Sequence, residues 1–329
     1  MIGNRLVSVA GDHEQNLLQE QFDSLEGRGV WQVGACRARD SRRGAAVYEL
    51  RDSEGASYWL RFGPWSDWER VGTRASHLHW INEVLVGASP LFKMMGNLFA
   101  PVSWTGMEEG YLGICRQMQG RPFSETFSSG RPPRLENMIQ MTGFLRLLQT
   151  GRGRLSAPGE EEIRAFVQDA GNLADRAEDM IPAKTLFRNW KSFYLQNTRT
   201  LASFAGRPLT LSLGAGAASC FTSGPTGSLV IDYPFLLHAA PVHSDLCRIL
   251  YEWTCMDDLD RQCLINLYFN LQPPSYFFTL MAQRHMTFAL EDITITEDNP
   301  AEHEKALDRF AQLARTYDLF RMPVPGWYE

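Results

Sequence analysis

The chain has 329 residues, 44% of them hydrophobic and 21% charged, with a formal net charge of −6. That length allows one large core or two modest ones. The acidic balance argues against a general nucleic-acid binder, although a local basic patch stays open. No apolar run approaches the roughly 20 residues of a membrane helix, and MIGNRLVSVAGDHEQN has no apolar stretch behind a basic cluster, so neither a membrane span nor a secretory leader is expected.

Residues 1–29 read as an N-terminal extension. Strand chemistry begins near Val30: GVWQVGACRAR is rich in β-formers, DSRRG is a turn, and AAVYELRDSEGASYWLRFG gives two more strands around the turn Asp52-Ser53-Glu54-Gly55. RVGTRASHLHWINEVLVG follows as a helix, with Leu78, Ile81, Leu85 and Val86 on one side. NLFAPVSWTG and EEGYLGICRQMQG supply two further strands. A first lobe of five antiparallel strands and one helix is therefore expected over 30–119. After Gly120-Arg121-Pro122 the text becomes mainly helical, and a second lobe is expected over 120–329. PRLENMIQMTGFLRLLQ, EEEIRAFVQDAGNLADRAEDM and TLFRNWKSFYLQNTRTLASFA carry apolar residues at helical spacing. PLTLSLGAGAASCFTSGPTGSLVIDYPF interrupts them with two short strands around a Gly/Ala/Ser loop. Helices then return in SDLCRILYEWTCM, RQCLINLYFNL, SYFFTLMAQRHMTFAL and NPAEHEKALDRFAQLARTYDLF.

In this order the elements resemble the two-lobed, α+β protein-kinase-like fold, in its aminoglycoside phosphotransferase branch. YLGICRQMQGRPFSE is similar to that family's hinge. SLVIDYPFLLHAAPVHSDLCRIL is similar to its metal-binding segment, where Ile-Asp-aromatic ends a strand and a second Asp opens a helix about a dozen residues later. The likeness runs from about Trp31 to about Trp253. It implies a chemistry of positioning and charge neutralisation, in which an Asp orients the substrate hydroxyl, an Asn and a second Asp hold magnesium, and a Lys–Glu pair grips the nucleotide phosphates.

By this resemblance Asp232 stands where the magnesium ligand belongs, and Asp245 matches a later Asp of structural role that bonds the loop before it. From the residues alone, Asp232 reads equally as a strand-ending turn residue and Asp245 as a helix N-cap. Gln117 and Met118 of the hinge, with Arg61, would contact ATP. Arg61 takes the lysine position, keeping the charge but not the point-donor geometry; the alternative is a simple pair with a surface acid. The helix glutamate falls near Ala75, with Glu69 and Glu83 as nearby substitutes. Arg37, Arg39, Arg42 and Arg43, around the first hairpin tip, can grip an anion or serve as a solvated tip that discourages edge pairing.

The catalytic loop departs from the pattern. Where the family carries His-Gly-Asp and then an Asn about five residues on, this chain reads Leu213-Gly214-Ala215 and continues Gly-Ala-Ala-Ser219-Cys220, which puts the acid on Ala215 and the amide on Cys220, or on Ser219 with a one-residue shift. Alanine cannot orient a hydroxyl or take a proton, and a thiol is a poor ligand for magnesium, which selects hard oxygen donors. Between Arg207 and Asp232 there is no other Asp, Glu or His, so no register slip supplies a base.

Other chemistries fit less well. Ser212 and Ser219 sit in no GxSxG elbow, no Walker pattern is present, and GAGAAS lacks the frame of a dinucleotide fingerprint. Cys220 with His238 or His243 as base has nothing in the sequence to bring the pair together. His77 and His79 are spaced to opposite helix faces, against a zinc site. Six cysteines without a CxxC pair point to free thiols and a cytoplasmic setting. The expected function is that of a pseudokinase that binds a protein partner, with ATP or a sugar phosphate as a second ligand of the cleft. The alternative is an atypical phosphotransferase using Asp232-bound magnesium and Arg61 on a small hydroxyl compound or a protein. A third reading is a helical scaffold whose resemblance is architectural only.

Overall fold

The computed structural model describes residues 19–20, 31–40, 45–66, 102–106, 110–117, 120–123, 135–149, 160–182, 184–202, 209–213, 220–224, 229–231, 238–252, 256–297, 299–319 and 321–328. The expected helix at 70–87 lies outside these residues. Two compact units make up the chain, one comprising 1–125 with 219–238, the other 126–218 with 239–329.

Strands β1 (Gln32–Asp40), β2 (Ala45–Arg51), β3 (Ser57–Pro64), β4 (Val102–Gly106) and β5 (Gly110–Arg116) form one antiparallel sheet in the first unit, in the order β1-β2-β3-β5-β4. The expected five strands are all present. The β2–β3 turn forms as its residues dictate. The Asp52 carboxylate accepts from the N–H groups of Glu54 (3.0 Å) and Ala56 (2.8 Å), and Gly55 takes the positive φ of 81° that a Cβ would resist. Alternation then sorts the side chains. Tyr48, Leu50, Leu60, Phe62, Leu112 and Ile114 share one buried cluster, while Val47, Trp59, Arg61, Tyr111 and Cys115, on the opposite parity, are buried as well.

A second small sheet of this unit joins β6 (Arg121–Pro122), β8 (Phe221–Ser223) and β9 (Leu229–Ile231). In the other unit β7 (Leu209–Ser212) pairs with β10 (His238–Pro241). The expected strands on either side of the Gly/Ala/Ser segment are present as β7 and β8; they pair with β10 and with β6 and β9 respectively, in different sheets.

Seven helices are described: α1 (Leu135–Gln149), α2 (Glu160–Glu178), α3 (Lys184–Ala202), α4 (Ser244–Glu252), α5 (Asp258–Phe269), α6 (Ser275–Ile295) and α7 (Pro300–Thr316). Local chemistry sets several ends. Asp257 caps α5 by accepting from Asp260 N–H at 2.8 Å, and Asn270 ends it in the left-handed region. Asn299 caps α7, with Pro300 at the first position where its missing N–H costs nothing. The mainly apolar α6 is the central element, packing against α2, α3, α4 and α7. Trp190, Tyr194, Ala282, Met286, Phe310 and Tyr317 anchor the core around it. The described cysteines are all free, with Cys115, Cys220 and Cys247 buried. Among the described residues no helix is long and apolar enough to cross a membrane.

His285 lies inside this core on α6. Its Nε2 donates to the carbonyl of Cys247 (3.0 Å), which fixes Nδ1 as the acceptor for the Tyr317 hydroxyl (2.9 Å). Burial lowers its pKa to about 3, partly offset by the Cys247 hydrogen bond. The unfolded chain takes up this proton near pH 6.5 and the folded chain resists it, so stability rises with pH between about 3 and 6.5, by up to about 1.4 kcal/mol per pH unit. Urea unfolding from pH 4 to 7 should show this slope in the native chain and a shallower one in His285→Gln.

Candidate functional site

The loop 214–219 runs between β7 and Cys220, and its entry is fixed by a buried carboxylate. Asp245, 2% exposed in the first turn of α4, accepts from the Ser212 hydroxyl at 2.6 Å and from the Leu213 N–H at 3.0 and 3.1 Å. This is the structural role that the resemblance assigned to it. The N-cap reading is corrected, since Asp245 lies inside the helix and its side chain turns to β7 instead. Ser244, the residue before it, donates to the Pro241 carbonyl at 2.6 Å. Placement in the first turn of α4 also sets the negative charge against the positive end of that helix.

The approach to α4 is held from below by a network that the sequence did not reveal. His243 sits at φ 68°, a conformation costly for a non-glycine residue. Its ring joins Tyr268 Oη through Nδ1 (2.9 Å) and Tyr276 Oη through Nε2 (2.8 Å). Tyr268 donates its own proton to Gln149 Oε1. The hydroxyl of Tyr268 must then accept from His243 Nδ1–H, leaving Nε2 to accept from Tyr276. Both ring nitrogens are therefore committed, and His243 is no base for Cys220. Residues on α1, α5 and α6 thus brace the turn that delivers Asp245. Their separations of 25 and 119 positions leave no local pattern from which to read the network.

Of the residues expected to touch a nucleotide, Arg61 and Gln117 are described. Arg61 is 3% exposed, and its Nε donates to Tyr111 Oη at 2.8 Å. The two residues stand on one face of the sheet because Arg61 pairs with Gly113, which leaves room beside the guanidinium. Gly63 completes the cradle, as a Cβ there would collide with the Tyr111 hydroxyl. Gln117 follows β5, and both its backbone N–H (3.0 Å, to Ser57 O) and its side-chain amide (3.3 Å, to Tyr58 O) donate to β3. Met118, Ala215, Ser219 and Asp232 lie outside the described residues, as do Glu69, Ala75, Glu83, Arg42 and Arg43. Among the described residues no group of three or more His, Cys, Asp or Glu is placed to hold a metal ion. Cys220, at the amide position, is a buried thiol and a poor donor for magnesium.

With this geometry in view, solved structures give the comparison that decides the fold. A choline/ethanolamine kinase family protein from Mesorhizobium loti superposes with a TM-score of 0.58 at 13% identity, covering 92% of this chain and 96% of that one. An ethanolamine kinase from Plasmodium vivax gives 0.54 at 11%, covering 93% and 85%. The aminoglycoside phosphotransferase APH(4)-Ia gives 0.51 at 12%, covering 91% and 97%. This is the small-molecule kinase fold of the aminoglycoside phosphotransferase type. No family model matches the sequence, and no curated protein matches it. At such identities the fold is what is shared.

In this kinase-like fold Asp245 is the anchor of the loop entry. Asp245→Ala removes a charged acceptor and leaves the Ser212 hydroxyl and the Leu213 N–H buried and unpaired, at roughly 3 kcal/mol. The urea midpoint of the variant should fall accordingly. A midpoint within error of the native value would show that the carboxylate does not anchor β7.

Proposed function

We propose that the chain is a pseudokinase: a small-molecule-kinase fold that acts by binding, with a protein as the principal partner and ATP or a sugar phosphate as a second ligand of the fold. One observation carries the reading. The support for the loop entry is complete, from Asp245 to Leu213, yet the loop it supports reads Gly214-Ala215-Gly-Ala-Ala-Ser219 and offers no acid, no amide and no histidine. A phosphoryl-transfer site depends on positioned charge, and here the positioning is kept while the charged groups are missing from the segment. Nucleotide binding is supported by analogy only. APH(4)-Ia variants form ternary complexes with ADP or AMP-PNP and hygromycin B, and this chain keeps a buried cation in Arg61.

That same cation favours the second reading, an atypical phosphotransferase with Asp232 as magnesium ligand and Arg61 at the phosphates. The fold's metal would find a single one of its customary ligands in Asp232, because Cys220 or Ser219 replaces the amide and no step can be routed through such a set.

Thermal unfolding with ATP, each time with and without magnesium, separates these readings. A ligand at 100 times its Kd stabilises by about 2.7 kcal/mol, several degrees for a chain of this size. For the pseudokinase, any rise with ATP is indifferent to magnesium, and no labelled γ-phosphate reaches protein or small hydroxyl acceptors. A magnesium-dependent rise, together with transfer that Asp232→Ala abolishes, would replace this reading with the enzymatic one.

A further inference from the structure

The face of the first sheet that carries Arg61 is closed along the path that a nucleotide would take. Residues two apart in a strand share a face, so Ser57, Trp59 and Arg61 stand in one row on β3. Gln117 marks one end of the row, where its N–H donates to the Ser57 carbonyl at 3.0 Å, and Arg61 marks the other. The strand between those ends runs about 13 Å. A nucleotide held at its base beside Gln117 and at its phosphates by Arg61 must therefore cross Trp59.

Trp59 has no surface to give it. The side chain is 7% exposed, and its neighbours on the same face are sealed as tightly, Val47 at 1%, Cys115 at 2% and Arg61 at 3%. The register puts them together. Trp59 pairs with Cys115 on one side and Glu49 on the other, while Arg61 pairs with Gly113 and Val47. An aromatic ring serves as a stacking platform for a base only while one of its faces is open. The protein's own atoms already cover this indole, the bulkiest of side chains, midway along the row. Glu49, half-buried directly across from it, adds a carboxylate where a polyphosphate would pass, and like charges at such range repel.

We propose that Trp59 is a specificity-determining residue that closes this face of the sheet to adenine nucleotides. The inference rests on the pseudokinase reading and narrows it. ATP drops out as the second ligand, which leaves the sugar phosphate, a ligand with no base to seat.

Thermal unfolding of the intact chain with millimolar ATP, and separately with adenosine, tests the assignment. The native chain should show no rise with either. Trp59→Ala, which removes the indole from the row, should gain a rise of about 3 °C when ATP is at ten times its Kd. No rise in a folded Trp59→Ala overturns the assignment to Trp59. A rise in the native chain without transfer of labelled γ-phosphate overturns it too and leaves the pseudokinase reading standing, whereas a rise with transfer removes both. Should Trp59→Ala not fold, photolabelling of the native chain with 2-azido-ATP decides. The peptide spanning Ser57 to Arg61 should carry no label that excess ATP displaces, and such a label would overturn the proposal.

Discussion

A carboxylate ion buried in a protein interior is tolerated only where donors replace its water, because the desolvation of a lone charge exceeds the whole stability of a domain. Asp245 meets that condition with the Ser212 hydroxyl, the Leu213 N–H and the first turn of its own helix. The requirement works in both directions. The ion needs the end of β7, and so the end of β7 is held wherever α4 puts the ion. The rest of the helical unit can be read as what keeps α4 in that place. His243 holds a left-handed conformation two residues earlier, and it does so because tyrosines of α5 and α6 grip both sides of its ring. The strain of φ 68° is of the order of 1–3 kcal/mol, a sum that two buried hydrogen bonds and close aromatic contacts can offset.

The two buried histidines of the unit show how far tautomer and environment decide a role. His243 and His285 each bond through both nitrogens, each to at least one tyrosine. Neither has a lone pair or a proton to offer a reaction. Both serve as rigid couplers between helices, His243 joining the α4 turn to α5 and α6, His285 joining α4 to the tail after α7. Titratable side chains in a core are therefore no guide to chemistry until their partners are counted.

Much of the fold was legible because it rests on period and punctuation. The five strands and seven helices follow alternating or helical apolar spacing, and Asp52-Ser53-Glu54-Gly55 or Asn299-Pro300 mark their ends by residue type alone. Where the reading went astray, two local signals competed. Ser244-Asp245 looked like a cap because both residues can cap, and only tertiary contact shows the Asp turned away to β7. The strands around 214–219 were legible by residue type, but which strands they pair with, β10 for one and β6 and β9 for the other, was not. The site was legible in its gaps more than in its supports. Ala215 stands where the resemblance puts an acid, but Arg61–Tyr111 and His243–Tyr268–Gln149 join residues 50, 25 and 119 positions apart, and no spacing rule spans such distances.

The anchor reads backbone and strand: Asp245 accepts from the N–H of Leu213 and the hydroxyl of Ser212. Neither of these bonds depends on which side chain stands at 215. The converse holds as well. An aspartate placed at 215 would meet the same bonds from Ser212 and Leu213 to Asp245. Fold and anchor are compatible with catalysis without implying it, and the decision rests on a few side chains that neither one constrains.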